Sequence, residues 1–206
     1  MLYLREPLVE LRLKDNSIAS VWSLTRSLAR EFKDDLARIH NYIPFQNWTG
    51  DEIVADQLRG RTFPGKWRLS HIAAMEGKIV ALNLAFERKG SSDPYREDCI
   101  YMHRFSVLPM YRNRWLGRLF HAYAIDTCFK HVPRVLKAPS PPIYGQTQAT
   151  LRNAHILKFY TIGCGFRPVG FMYYNNKVDV TIRLSRNAFY RSPHWLLFRE
   201  RRRYIK

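Results

Sequence analysis

Hydrophobic and polar positions along the chain predict a mixture of strands and helices. The segment LVELRLK, residues 8–14, alternates apolar and polar residues as a half-buried strand does. Apolar residues then recur at three- and four-residue intervals over Val21–Leu36, which predicts a helix whose N-cap is one of residues 15–17. A shorter helix is expected in DEIVADQLRG, residues 51–60.

The middle of the chain predicts three strands in succession. WRLSHIAAME and KIVALNLAFER read as two strands joined by a hairpin at Glu76 and Gly77. CIYMHRFSV, from Cys99 to Val107, is rich in β-branched and aromatic residues and reads as the third strand. Within it, strand alternation predicts that His103 lies on the same face as Val107.

Helical and extended segments alternate again towards the C-terminus. A helix is expected from Leu116, and a Pro-rich irregular stretch leads to a short strand before residue 148. NAHILKFYTIGCGF reads as a helix stopped by Gly163, and FRPVGFMYY and KVDVTIRLS read as closing strands. This order predicts an α/β (α+β) domain with a mostly antiparallel sheet.

Length and charge limit the organisation and the partners. The 206 residues, 46% of them hydrophobic, suffice for one domain, which we expect to span residues 1–188. Residues 189–206 read as a basic, aromatic C-terminal extension. A formal net charge of +17 favours anionic partners: nucleic acid, acidic protein, membrane headgroups or a phosphorylated cofactor.

Cysteine usage indicates a reducing environment, and hydropathy indicates a protein without a membrane span. Cys99, Cys128 and Cys164 show no metal-ligand spacing and leave one thiol unpaired in any disulfide scheme, so no metal site is expected. The sequence has no apolar run of membrane-spanning length and no apolar core of a signal peptide at its start. We therefore expect a soluble, cytoplasmic protein without a membrane partner.

A basic turn stands between the strand that ends at Val107 and the helix that begins near Leu116. The first N–H groups of a helix have no intrahelical partner and lie at the positive end of its dipole, which suits an anion. Arg112, Arg114 and Arg118 add formal charge around this point. A solvated basic face is the alternative interpretation for at least one of these arginines.

The element order and two motifs resemble the GCN5-related N-acetyltransferase (GNAT) family over nearly all of residues 8–185. In that family a turn of the form Arg/Gln-x-x-Gly-x-Gly/Ala holds the pyrophosphate of acetyl-CoA, and RNRWLG, residues 112–117, matches it. A second family motif is matched by Asn153, Tyr160 and the Gly-Phe at 165–166. The resemblance implies a mostly antiparallel sheet with helices on both faces and an acetyl-CoA-dependent N-acetyltransferase.

The resemblance also implies which residues contact the cosubstrate. The backbone N–H near Val107 would be the oxyanion donor, and Asn153 would contact the pantetheine arm, although it also suits a helix N-cap. The residues that we expect at acetyl-CoA are Phe105, Val107, Arg112, Asn113, Arg114, Trp115, Leu116, Gly117, Arg118 and Asn153.

Trp115 departs from the family pattern, because it replaces the first glycine of the motif. A side chain fits there only if Trp115 keeps helical φ and ψ and its indole points away from the phosphates. We expect the indole to pack on the domain surface beside the helix.

Two residues are candidates for proton transfer. Tyr160 matches the family's general acid, which protonates the leaving thiolate; the alternative is a core-facing aromatic. His103 holds a position where the family often has Glu, and an imidazole titrates near neutral pH, so it could serve as base. Glu97 and Asp98 are the alternative carboxylates, and an ordinary hydrogen-bonded role is the alternative for His103.

The acetyl acceptor is not fixed by these residues. RNAFYRSPHWLLFRERRRYIK, residues 186–206, interleaves arginines with aromatics, which suits phosphate contacts and base stacking; packing of its Trp195–Phe198 on the domain is the alternative. The open possibilities for the acceptor are a small molecule, peptide or protein amine, or an aminoacyl-tRNA. A non-catalytic nucleic-acid-binding module and a homodimer are also kept as alternatives.

Overall fold

The computed structural model describes residues 6–41, 49–58, 64–90, 95–148, 154–174 and 177–205. Its strands are β1 (Val9–Arg12), β2 (Ile18–Ser23), β3 (His71–Met75), β4 (Lys78–Arg88), β5 (Cys99–Val107), β6 (Ile143–Gln148), β7 (Arg167–Tyr174), β8 (Lys177–Leu184) and β9 (Arg202–Tyr204). Its helices are α1 (Arg26–Glu31), α2 (Lys33–His40), α3 (Gly50–Leu58), α4 (Lys66–Leu69), α5 (Leu116–Lys130), α6 (Ala154–Lys158), α7 (Arg186–Tyr190) and α8 (Pro193–Arg201), and a π-helix, Phe159–Cys164, continues α6.

The nine strands form one sheet in the order β7-β8-β6-β5-β4-β3-β2-β1-β9. All neighbouring pairs of described strands run antiparallel except β5 and β6, which are parallel. The parallel pairing covers only the first part of β5, where Ile100 and Tyr101 pair with Ile143 and Tyr144. Beyond Tyr101, β5 pairs with β4 alone among the described strands, so a gap opens between β5 and β6.

Helices cover both faces of the sheet. On one, the α5 face, Leu119 of α5 and Ile100 of β5 are buried in the same core. On the other, the α2 face, Leu36 of α2 packs with Leu82 and Leu84 of β4. The expected mixed, mostly antiparallel sheet with helices on both faces is confirmed.

A β-bulge interrupts β5 in front of the gap. Arg104 pairs with Leu84 of β4 and Met102 pairs with Ala85, so His103 is the extra residue on the β5 side. Such a bulge leaves its extra residue unpaired in the ladder and bends the strand. Residues before and after His103 therefore do not follow a single alternation.

The bulge places His103 and Val107 on opposite faces of the sheet. Val107 lies in the core of the α5 face with Met102, and Phe105 packs against the same core. The His103 ring instead stacks on Tyr101, with 6.2 Å between ring centroids, on the α2 face. The prediction that His103 and Val107 share a face is wrong, because one inserted residue shifts the register of side chains by one.

The first predicted helix begins later than expected. Residues 18–23 form β2, and residues 15–17 form the turn that joins it to β1, in which the Asp15 carboxylate accepts hydrogen bonds from Ser17 N–H and Oγ. The helix starts after Thr25, whose hydroxyl caps the N–H of Leu28. The prediction of a helix from Val21 therefore combined residues of β2 with residues of the helices that follow it.

The helix near the second motif also ends later than predicted. It passes Gly163 as a π-helix and stops at Gly165, which is left-handed (φ 86°). A Cβ on Gly163 would lie 2.3 Å from Cε1 of His194 in α8. Gly163 therefore permits close packing of α8, and Gly165 ends the helix.

Residues 186–205, the C-terminal segment, pack on the domain. Phe189, Trp195 and Phe198 are buried in the core of the α5 face, whereas Leu196 is exposed. The segment ends in β9, which pairs antiparallel with β1 at the edge of the sheet.

Polar groups also fasten the C-terminal segment. Asp126, buried in α5, accepts hydrogen bonds from the hydroxyls of Tyr190 (3.0 Å) and Tyr204 (3.3 Å). The Arg202 guanidinium lies between 4.9 and 5.1 Å from the centres of three aromatic rings of the same segment. This arginine is used in packing, so it is not a freely solvated charge.

Candidate functional site

The turn that leads into α5 has a backbone suited to bind an anion. Asn113 (φ 64°) and Trp115 (φ 73°) are both left-handed, and no side chain caps the N-terminus of α5 in the described structure. Left-handed residues alternating with right-handed or extended ones turn successive N–H groups towards one concave side. The positive end of the α5 dipole adds to this field. We call residues 112–117 the α5 turn.

The three arginines around the α5 turn differ in their contacts. Arg112 Nε donates a hydrogen bond of 3.1 Å to the Val107 carbonyl. Arg114 Nη1 lies 3.4 Å from Asp15 Oδ2. Arg118 is exposed and has no ion pair with any described residue. Arg118 is therefore the most accessible of these charges, while Arg112 and Arg114 help to hold the turn.

Trp115 does not keep helical backbone angles. Its φ of 73° and ψ of −4° are left-handed, so that part of the expectation is wrong. The family's glycine is explained by this conformation, which costs an ordinary residue about 1 kcal/mol or more. The indole packs against the core of the α5 face, and the Arg201 guanidinium of α8 lies 5.0 Å from its centre. Tertiary contacts from the C-terminal segment thus compensate for the missing glycine.

Gly117 has room for a Cβ but for little more beside β5 and the π-helix. A Cβ on it would lie 3.9 Å from Val107 Cγ2 and 4.0 Å from Phe159 Cε2, so a larger side chain would enter the space between these two residues. Leu116 is buried in the core and offers only its backbone to the turn. The Phe105 ring borders the space beside Gly117, and its centroid lies 6.2 Å from that of the Phe159 ring.

The backbone of Val107 points towards the gap between β5 and β6. Val107 pairs with Ala81, and the next N–H, that of Leu108, donates to the Val80 carbonyl at 2.9 Å. In an antiparallel ladder this pattern makes Val107 and Ala81 a non-hydrogen-bonded pair, whose own N–H and C=O groups point away from each other. The Val107 N–H is therefore directed towards the gap.

Tyr160 lies on the π-helix and packs over the α5 face beside the gap. Its ring is 5.3 Å from His121 and 5.6 Å from Phe166, both in edge-on contacts. Burial raises the pKa of the phenol, while the positive charge of Arg104 opposes that rise. The raised pKa keeps Tyr160 protonated at neutral pH, as a proton donor must be.

The other predicted proton carriers lie on the α2 face or have other partners. His103 stacks on Tyr101 and meets the Phe86 ring at 6.0 Å. Glu97 is bound by Arg183 at 2.6 Å, which lowers its pKa, and Asp98 accepts backbone N–H groups, which lower its pKa. Both carboxylates are occupied by structural contacts. Asn153 lies outside the described residues.

A buried cluster of two histidines and a cysteine adjoins Tyr160 and was not predicted. Cys164 Sγ lies 3.3 Å from His121 Nδ1 and 3.1 Å from His194 Nδ1. The three residues come from α5, the π-helix and α8, so no sequence spacing could have signalled their contact. The cluster joins the helix that carries Tyr160 to the C-terminal segment.

The remaining expectations concern metals, thiols and membranes. In the part of the chain that the structure describes, no group of three His, Cys, Asp or Glu side chains could hold a metal ion. All three cysteines are buried and free. No helix within the described ranges is long and apolar enough to cross a membrane.

Comparisons with known proteins identify the fold. No family model and no curated protein matches the sequence. Arabidopsis thaliana Naa50, solved with the bisubstrate analogue CoA-Ac-MVNAL, is similar over 81% of this chain and 98% of its own, with a TM-score of 0.57 and 17% identity. The ribosomal-protein-S18-alanine N-acetyltransferase from Escherichia coli is similar over 81% and 92%, with a TM-score of 0.58 and 16% identity.

A GNAT-family acetyltransferase from Bacillus cereus shows the same likeness. It is similar over 81% of this chain and 96% of its own, with a TM-score of 0.54 and 12% identity. At these identities the likeness concerns the backbone fold alone. The chain therefore has the fold of the GNAT acetyltransferases.

Proposed function

We propose that this protein is an acetyl-CoA-dependent N-acetyltransferase. The observation that carries the proposal is the meeting of three features at one place: the left-handed α5 turn, the gap beside β5 and the half-buried Tyr160 side chain. The left-handed backbone of the α5 turn costs stability, and such strain is typical of functional sites.

The described residues fit an acetyl-CoA molecule. The N–H groups of the α5 turn would bind its diphosphate, with Arg118 as the accessible charge and Asn113 shaping the concave backbone. Gly117 leaves the space that the pantetheine arm needs, and Phe105 and Val107 line it. When bound, acetyl-CoA supplies an acetyl group activated as a thioester.

The chain's own residues transfer protons and stabilise the charge that develops during the reaction. As the acceptor nitrogen bonds to the acetyl carbon and the carbon–sulfur bond breaks, Tyr160 gives its proton to the departing sulfur. The Val107 N–H donates to the acetyl oxygen as negative charge develops there. His103, on the α2 face of β5, takes through water the proton that the amine loses, and the phenol is reprotonated from solvent. The products are an N-acetylated amine and free CoA thiol.

We favour a small acceptor over a polynucleotide. Arg201 and Arg202 of the C-terminal segment lie over aromatic rings of the fold, and Arg114 is paired with Asp15. These arginines, which the sequence analysis considered for phosphate contacts, are therefore engaged within the fold, which disfavours a polynucleotide acceptor.

Binding of CoA to the purified protein tests the proposal. Because a ligand selective for the native state stabilises it, acetyl-CoA at about 100 times its Kd should raise Tm by about 5–10 °C. Gly117→Leu should abolish this shift and the calorimetric heat of CoA binding, while Arg199→Leu on the exposed side of α8 serves as the control. If saturating acetyl-CoA gives neither heat nor a Tm shift, the proposal is wrong.

A further inference from the structure

Arg104 is a charged side chain on the α2 face of the sheet for which the described residues provide no partner. It is half-buried, its Nε is fully buried, and no acceptor among the described residues reaches that atom. No described carboxylate lies within ion-pair distance of its guanidinium. Arg183, on the same sheet, shows the usual arrangement, because it holds Glu97 through Nε at 2.6 Å and Nη2 at 3.3 Å.

An unpaired guanidinium in this setting lowers the stability of the fold. Burial costs a charge its hydration, and the cost is recovered only through hydrogen bonds or an opposite charge. An arginine cannot avoid the cost by losing its proton, since its pKa remains far above neutral. Burial lowers the pKa of Arg104, as expected for a charge that lacks compensation. A residue with this cost is explained most simply by an anion that binds there.

The position of Arg104 is next to the proposed reaction centre. Its cross-strand partner, Leu84, shares a face of β4 with Phe86, the partner of Tyr101, so Arg104 and Tyr101 project from the same side. Arg104 follows the bulge, where β5 has already left β6. Its charge acts on the phenols of both Tyr101 and Tyr160. An anion held by Arg104 would therefore belong to the acceptor.

Asp179 offers the opposite charge on the same face. Its Oδ1 is buried and has no hydrogen-bond partner in the described structure. Asp179 pairs with Gln148 of β6, two residues from Gln146, whose Oε1 accepts a 3.1 Å hydrogen bond from the Tyr101 hydroxyl. Asp179 also acts on the Tyr101 phenol. Arg104 and Asp179 thus lie on the same face as Tyr101, and neither Arg104 Nε nor Asp179 Oδ1 has a hydrogen-bond partner among the described residues.

We propose that Arg104 and Asp179 form the acceptor site for a free amino acid or a close relative that carries both an amine and a carboxylate. The planar guanidinium matches a carboxylate in two parallel hydrogen bonds, and the Asp179 carboxylate accepts from the ammonium form before transfer. This inference deepens the proposed acetyltransferase function and rests on it.

Thermal melting of two matched variants tests whether Arg104 is kept for a ligand. Arg104→Gln removes an uncompensated charge, so Tm without ligand should rise by about 2–4 °C. Arg183→Gln removes a paired arginine from the same sheet and should lower Tm. Equal losses of Tm in the two variants would overturn the inference, because Arg104 would then be a structural residue.

Ligand specificity tests the chemical class of the acceptor. Free L-amino acids, each beside its own carboxamide, are titrated into the CoA-bound protein by calorimetry and assayed by CoA thiol release with acetyl-CoA. At least one amino acid should exceed its carboxamide in affinity and in kcat/KM by about 10- to 100-fold, the range for a charge-assisted hydrogen bond. Arg104→Gln should erase this preference, and Arg104→Lys should keep part of it.

The outcomes separate this inference from the proposed function. If CoA binds but carboxamides equal the amino acids, or if no compound of either set binds or is acetylated, the amino-acid site is wrong and the acetyltransferase proposal stands. If CoA fails to bind, the proposed function is wrong. Titration of the amino acids into the free protein then still measures whether they bind at Arg104. A preference that survives in Arg104→Gln would also overturn the assignment.

Discussion

Substitution of Trp115 by glycine and by alanine separates the backbone of the α5 turn from its side-chain packing. Both variants remove the indole and with it two contacts: the one with the core and the one with the Arg201 guanidinium, 5.0 Å from the ring centre. They differ in one respect: glycine adopts φ near +73° freely, whereas alanine does not. The difference in stability between the two variants therefore measures the backbone alone.

The expected difference has a definite sign and size. A left-handed conformation costs an alanine about 1–2 kcal/mol, and the greater entropy of an unfolded glycine offsets about 0.5–1 kcal/mol of that. Trp115→Gly should therefore exceed Trp115→Ala in stability by about 0.5–1 kcal/mol. At a helical position the order would be reversed by about 1 kcal/mol, since alanine is the better helix former.

Urea denaturation with a shared m-value resolves such a difference, and Tm should differ by about 1–4 °C in the same sense. Arg201→Ala, made in the parent and in Trp115→Gly, is the accompanying cycle: it should cost about 0.5–1 kcal/mol more when the indole is present. An alanine variant as stable as the glycine variant would refute the left-handed assignment. An Arg201→Ala effect that is independent of Trp115 would refute the compensation by α8.

Three further predictions follow from the site. Gly117→Ala should stabilise the free protein by about 0.5–1 kcal/mol, because the residue lies in α5 with room for a Cβ. The same substitution should weaken CoA binding, as measured by calorimetry. A variant that gains stability and keeps full CoA affinity would contradict the proposed path of the pantetheine arm. Tyr160→Phe should retain CoA binding and lose about 10²- to 10⁴-fold in kcat, and an unchanged kcat would remove Tyr160 from the mechanism. Burial lowers the pKa of His194 from its ordinary 6.5 to about 4, as it does for His71, so the unfolded chain binds more protons in that window and stability falls as pH drops from about 6.5 to about 4. His194→Gln should reduce this dependence of Tm on pH without removing it, and an equal slope would exclude His194 as a contributor.

Part of the site was predictable because its signals are local. The strand β5 and the start of α5 were predicted at the bounds that the structure has, since a β-branched and aromatic run, a proline and a helical stripe follow one another without ambiguity. The mostly antiparallel sheet with helices on both faces followed from the order of the elements and the resemblance. These features depend on neighbours in sequence or on the gross order of elements.

The rest depends on contacts that no local pattern records. The bulge at His103 is one inserted residue, and it reversed the predicted face of the histidine. A left-handed tryptophan is strongly disfavoured, and its support comes from Arg201 in the last helix. Arg104 reads as an ordinary basic strand residue until the structure shows that its buried Nε has no acceptor among the described residues. The pairing of β9 with β1 likewise joins the two ends of the described chain.

The placement of α8 and β9 has a consequence for how the protein matures on the ribosome. Strands β1 to β8 and helix α5 precede the C-terminal segment in the sequence, and synthesis proceeds from the N-terminus. Until α8 emerges, Trp115 lacks Arg201, and Cys164 lacks His194. The α5 turn is therefore unsupported in a nascent chain before α8 emerges, so the CoA site proposed here is completed only when α8 has been made.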